Sequence, residues 1–189
     1  MTVPDHIAAV VLAAGLSTRF GGDKLVYPHA GKPLAAHIAD TLTAMPLRWR
    51  LAIVPPAPSL RRELFAERGF ELVENPDPQQ GMGASLALGA QRAMELGAEA
   101  LLACLADMPN VTGAHLTALL TAGGDGDAAA TGFEGSRGPP AVFSSRLFPE
   151  LAAISGDRGA KHLLATATLI AAPPGLARDF DTRGDFDEQ

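Results

Sequence analysis

The chain has 189 residues, of which 47% are hydrophobic and only 5% aromatic, and it carries a formal net charge of −6 at neutral pH. This length suits one domain, residues 1–189, with enough chain to bury a real core built from Ala, Leu, Val and Ile; the apolar content excludes disorder for the bulk of it. The acidic balance argues against nucleic acid as the main partner, because phosphate backbones select basic faces.

Ile7 to Ala14 is apolar on both faces and predicts a buried parallel strand. Gly15 to Lys32 reads as a long, polar, Gly-rich loop, and Pro33 to Met45 as a helix with Pro in its first turn. Leu51 to Val54 predicts a second strand, halted by Pro55, Pro56 and Pro58. A helix over Leu60 to Arg68 and a short strand over Phe70 to Glu74 follow. Asn75 to Gly83 forms another loop, leading into a helix over Ala84 to Leu96.

Ala100 to Leu105 predicts a fourth buried strand, and Val111 to Leu120 a helix. Ala128 to Thr131 is read as a strand, Gly132 to Gly135 as a turn, and Ala141 to Phe143 as a strand of opposite sense. Leu147 to Ile154 and Gly159 to Ala165 read as short helices, and Leu169 to Ala171 as the last strand. Alternating strands and helices predict a mostly parallel sheet covered on both faces. In such folds ligands bind outside the carboxyl ends of strands, which directs attention to the loops after Ala14, Glu74 and Leu105.

No apolar run reaches the roughly 18–20 residues of a membrane span. The opening Met-Thr-Val-Pro-Asp-His lacks a basic export region, so the expected location is the cytoplasm. Cys104 excludes an internal disulfide framework, and its neighbours Leu101, Leu102, Ala103 and Leu105 mark it as a buried strand thiol. His6, His29, His37, His115 and His162 show no metal-binding spacing.

The first chemically suggestive segment runs from Leu12 through Ala13, Ala14, Gly15, Leu16, Ser17, Thr18 and Arg19 to Lys24. Small residues at Ala13, Ala14 and Gly15 let backbone approach a ligand closely, with N–H groups available to phosphate. Arg19 and Lys24 add fixed cations suited to a triphosphate. The glycine spacing matches neither a Walker A loop nor a dinucleotide fingerprint. A loop this long inside an α/β unit is uncommon without a function.

Asp107, in Ala106-Asp107-Met108-Pro109, ends a buried strand, where a carboxylate is costly unless it meets a cation or a donor. As a Mg²⁺ ligand it would set the metal beside phosphates held by the first loop; the alternative is a cap for the helix from Val111. Gly81-Met82-Gly83-Ala84-Ser85 enters a helix, where glycines suit backbone contact with a base or phosphate, or serve a plain N-cap. Asp179-Phe180-Asp181-Thr182 reads by itself as a solvated acidic terminus or a cap.

Taken together, Ala13 to Lys24, Gly81 to Ser85, Ala106 to Pro109 and Asp179 to Thr182 resemble, in that order, the marks of the molybdenum cofactor cytidylyl- and guanylyltransferases. Leu147-Phe148-Pro149-Glu150-Leu151 leading to Gly156-Asp157-Arg158-Gly159-Ala160 is similar to the cytidylyltransferase branch. The resemblance implies a Rossmann-like three-layer α/β/α sandwich with a mostly parallel, mixed sheet. It implies that Arg19 and Lys24 hold the triphosphate, that Asp107 and Asp181 bind Mg²⁺, and that Ser85 and the Gly81 loop flank the base.

By the same resemblance the reaction is transfer of CMP from CTP to the phosphate of molybdopterin cofactor, with release of pyrophosphate. A recipient molybdoenzyme or chaperone would accept the product. Ala-Ala-Gly at the opening is closer to CTP users, since GTP users more often carry a second Gly. Two substrate-side departures stand out: the Gly81 loop lacks extra serines, and Gly138-Pro139-Pro140 replaces a Gly-His-Pro turn. Alternatives from the sequence are GTP, a sugar phosphate or another phosphorylated acceptor, and a non-catalytic cofactor-binding module.

Overall fold

The computed structural model describes residues 6–124, 126–156, 160–176, 180 and 183–186. Its centre is the strand β1 (Ile7–Leu12), fully apolar and buried along its length except at Leu12. Two residues of each of the next short segments, β2 (Pro28–His29) and β3 (Lys32–Pro33), pair as an antiparallel ribbon. α1 (Leu34–Thr43) follows, then β4 (Trp49–Val54), α2 (Leu60–Ala66) and β5 (Glu71–Glu74). α3 (Met82–Glu95), β6 (Ala100–Leu105), α4 (Gly113–Gly123), β7 (Ala128–Phe133), β8 (Ser136–Ser144), α5 (Phe148–Ala152) and β9 (Thr168–Ala171) complete the order.

Seven strands form one sheet in the order β5-β4-β1-β6-β8-β7-β9. β1 pairs in parallel with β4 on one side and β6 on the other, so the chain's direction of winding reverses at β1. β8 runs antiparallel to both β6 and β7, and β9 returns parallel to β7. The expected mixed, mostly parallel sheet is present.

Strand alternation divides the core into two layers. Ile7, Ala9 and Val11 of β1, with Ala52 and Val54 of β4 and Leu102 and Cys104 of β6, face α1, α2 and α4. Ala8 and Val10, Leu51 and Ile53, and Leu101 and Ala103 face α3, α5 and Leu163 and Leu164. The apolar runs are continuous because both faces are covered. Tight approach is made by glycine: a Cβ on Gly89 of α3 would lie 2.6 Å from Val10 Cγ1.

Boundaries shift from the sequence expectations for identifiable reasons. β1 stops at Leu12, although Ala13 and Ala14 remain buried. The segment 15–32 is not loop throughout: Asp23 caps a single 3₁₀ turn, Lys24–Val26, and the ribbon follows. α3 starts at Met82, two residues early, and α4 starts at Gly113 after an N-cap from Thr112 to the His115 amide. Residues 160–166 are successive turns where a helix was expected.

β8 is nine residues where three were expected. Pro139 and Pro140 hide it in the sequence, since proline donates nothing to a ladder. The register moves from Ala130↔Ala141 to Thr131↔Gly138, so both prolines fall in a bulge where no ladder donor is needed. A buried network closes this bulge. Thr131 Oγ1 donates to the Pro140 carbonyl at 2.8 Å, and His115 Nε2 lies 2.9 Å from the same hydroxyl. With the hydroxyl proton committed to Pro140, the imidazole supplies the other proton. Burial holds the His115 pKa below its usual range.

Candidate active site

The winding reversal at β1 leaves an opening beyond the carboxyl ends of β1 and β6, the position where α/β sheets take ligands. A cleft of about 760 Å³ occupies it. Its walls include Leu12, Ala14, Gly15, Ser17, Arg19 and Lys24 from the first loop, Gly81 and Ser85 from the start of α3, and Asp107 from the end of β6. Segments separated by some 80 residues in sequence thus meet around one space.

The charged centre of the cleft is an ion pair. Lys24 Nζ lies 2.8 Å from Asp107 Oδ2, with the lysine side chain 13% exposed and the aspartate 30%. Lys24 is positioned by the Asp23-capped 3₁₀ turn, and Asp107 by the end of β6, where Ala106 N donates to the Leu12 carbonyl. The alternative reading of Asp107 as a cap for α4 does not hold; Thr112 takes that role. Asp107 is therefore an anionic oxygen donor inside the cleft, held by a cation that a phosphate group can also claim. Arg19 is exposed on the cleft wall.

On the opposite wall, Ser85 is buried and its hydroxyl accepts a hydrogen bond of 3.0 Å from Asn75 Nδ2. Asn75 is also buried; its side-chain oxygen accepts from the Asp77 amide, and its own amide donates to Val54 O. Asn75 therefore fixes the 75–81 loop and orients Ser85. It was not marked in the sequence, where an Asn before Pro reads only as a turn signal. Leu16 and Met82, each about half exposed, form the apolar lips of the cleft.

Several expectations change in detail. Ala13 does not line the cleft: its methyl packs in the core with α1 and α2, and its amide donates to Ile53 O at 2.9 Å. Of the two alanines only Ala14 reaches the cleft wall. Gly81, with φ of 86°, lines the cleft. Gly83 instead packs against the chain after α5, where a Cβ would lie 2.3 Å from Gly156 O. Ser17 carries a left-handed φ of 50°, uncommon for a residue with a side chain, on the cleft wall.

Asp181 lies outside the described residues. Its described neighbours pack on the first loop and ribbon: Phe180 against His29 with centroids 4.8 Å apart, and Phe186 against Tyr27 at 5.0 Å and Phe20 at 5.5 Å. Among the described residues no cluster of three or more His, Cys, Asp or Glu could hold a metal by itself. No described helix is long and apolar enough to cross a membrane. Cys104 is fully buried in β6, and burial pushes its thiol pKa well up, as expected for a core thiol.

Comparison with known proteins shows the family and the fold. A family model described as MobA-like NTP transferase domain matches residues 9–172. The chain is 30% identical over 195 residues to the purine catabolism protein PucB of Bacillus subtilis, covering 96% of this chain and 95% of PucB. It is 38% identical over 86 residues, 44% of each chain, to a "Probable molybdenum cofactor guanylyltransferase" of Pyrococcus horikoshii. The crystal structure of Rv0371c from Mycobacterium tuberculosis is similar with a TM-score of 0.83 at 27% identity, over 96% of both chains. A crystal structure of Rv0371c in complex with manganese is similar at a TM-score of 0.79, with 26% identity over 96% of both chains.

Proposed function

This chain belongs to the MobA-like NTP transferase family, and from that premise we propose that its nucleotidyl transfer moves CMP from CTP to the terminal phosphate of molybdopterin cofactor. The observation that carries this reading is the Lys24–Asp107 pair at 2.8 Å, inside a cleft walled by the first loop. An acceptor phosphate oxygen attacks the α-phosphorus, the bond from that phosphorus to the bridging oxygen breaks, and pyrophosphate leaves. A phosphate acceptor is already ionised at neutral pH, so no general base is required. Lys24 and Arg19 hold the triphosphate, and loop amides meet its oxygens; positioning and charge neutralisation do the work.

A magnesium ion fits the donor set. Mg²⁺ is ordinarily held by one or two carboxylates, with substrate phosphates and water completing its shell. Asp107 supplies one such oxygen group in the cleft, and Asp181 is proposed as a second. When bound, the metal would supply charge neutralisation on the reacting phosphate. The crystal structure of Rv0371c with manganese supports a divalent metal in this reading.

Support for CTP comes from Ala14, which lines the cleft where GTP-using relatives more often have Gly. A single pyrimidine ring suits the narrower space. Such shape discrimination is worth about 1–3 kcal/mol, so some use of GTP is expected to remain. The relative named as a guanylyltransferase makes GTP the second reading. Pyrophosphate release with Mg²⁺ and molybdopterin cofactor, measured side by side for CTP and GTP, tests both. A larger kcat/KM for CTP is expected; a GTP preference overturns the base assignment, and turnover only with a different phosphorylated acceptor overturns the acceptor.

A further inference from the structure

The first loop is held from behind by a buried arginine that the reaction scheme above does not use. Arg61, on the first turn of α2, is only 5% exposed. Its Nη1 donates to Ala13 O at 2.8 Å and to Gly15 O at 2.6 Å. Its Nε meets both carboxylate oxygens of Asp23, at 2.8 and 2.7 Å. Asp23 in turn accepts from the Leu25 amide at 3.1 Å, starting the 3₁₀ turn that carries Lys24. One guanidinium therefore grips both ends of the segment from Ala13 to Lys24.

Backbone accounting shows what this grip does. Leu12 O accepts from Ala106 N, and Ala13 O and Gly15 O accept from Arg61, so these carbonyls are spent on the protein side. The amides of Gly15, Leu16 and Ser17 have no acceptor among the described residues, and all three residues line the cleft. Charge follows the same division. Asp23 is the loop's own anion, and unpaired it would oppose a triphosphate; Arg61 neutralises it and leaves Arg19 and Lys24 on the cleft wall.

We infer that Arg61 is a positioning residue for nucleotide binding: it holds the carbonyls of the first loop away from the cleft and cancels Asp23, so that amides and cations face the triphosphate. The inference rests on reading this cleft as the nucleotide site. It differs from a purely structural role in what it predicts, because it acts on the nucleotide side of the reaction and not on the acceptor side. Support from behind of this kind decides whether a binding constellation is held tightly enough to act.

The test uses the full chain and Mg²⁺-CTP, with binding measured calorimetrically and turnover measured in parallel, well below the unfolding temperature. Arg61→Met is expected to weaken nucleotide binding at least roughly tenfold, the scale of lost hydrogen bonds to charged groups, with the acceptor KM unchanged. Arg61→Lys keeps the charge without the fork and is expected to recover part of that loss. Adding Asp23→Asn to Arg61→Met removes the anion left uncancelled and is expected to recover part of the lost nucleotide affinity; Arg61→Lys reads the loop should Arg61→Met not fold. Phe65→Leu, on the same helix and destabilising, is expected to leave nucleotide affinity alone. Unchanged affinity in Arg61→Lys, or an equal loss in Phe65→Leu, overturns the inference. Wild-type protein that binds no nucleoside triphosphate overturns the nucleotide-site reading itself.

Discussion

Asp107 and Lys24 show how a pair of residues acquires meaning only when brought together. Each is unremarkable alone: an acid after a strand, and a lysine on a polar loop. At 2.8 Å, in a partly shielded cleft, they form a charge pair that the proposed reaction would set between a metal and a phosphate. Asp107→Asn keeps shape and removes charge; it is expected to lower kcat on the order of 10²-fold or more with the unfolding temperature nearly unchanged, checked by steady-state turnover and thermal melts. Lys24→Ala is expected to cost far more turnover than Arg92→Ala, because Arg92 sits on the surface of α3 with Glu71 and Glu95. Equal effects of the two changes would remove Lys24 from the site. Arg61 escaped the sequence reading because its partners are 38, 46 and 48 residues away, and only packing of α2 against the loop joins them.

Elements are fixed against one another by contacts that motif reading misassigns. Gly83 looked like a ligand contact beside Ser85; it is where the start of α3 meets the chain after α5. Gly83→Ala would drive a methyl to 2.3 Å from Gly156 O and 2.8 Å from Ile154 Cγ2. Overpacking of that kind is expected to destabilise by about 1–3 kcal/mol, measured by urea unfolding, and to disturb Met82 and Ser85 on the cleft wall. α1 is tied to the ribbon and to the turn after α2 through Asp40, which pairs with Lys32 and with Arg68 Nε, the latter at 2.8 Å. Burial alone would raise the Asp40 pKa, but the hydrogen bonds from Lys32 and Arg68 outweigh it and hold the carboxyl below its usual 3.8. The folded pKa is the lower one, so the stabilisation is present above the unfolded value and is lost as pH falls through the folded one. Asp40→Asn is expected to cost about 1 kcal/mol at most at pH 7, with the gap to wild type closing below about pH 4, as read from unfolding curves at several pH values.

For the molecule as a whole, Cys104 offers an internal reporter. It lies in β6, at the centre of the sheet, fully buried and with its thiol pKa raised by that burial. Alkylation is expected to wait for opening of the central sheet, so its rate tracks global stability. Saturating Mg²⁺-CTP at about 100 times its Kd is expected to add roughly 2.7 kcal/mol and slow labelling accordingly. Labelling as fast as that of an unfolded thiol would show that β6 opens independently. The apolar runs of β1, β4 and β6 were legible in the sequence because strands covered on both faces carry no polar alternation, and the loop–helix–strand rhythm followed from them. So were the first loop, the acid after β6 and the loop before α3, whose glycines and charges break that rhythm. The full length of β8 was not legible, because its prolines sit in a bulge that pairing with β7 creates. Nor were the Asn75–Ser85 bond and the Arg61 grip, which join residues distant in sequence. Local chemistry and periodicity belong to the chain itself; which donor meets which acceptor is decided by strand order and helix packing, and these exist only once the sheet is assembled.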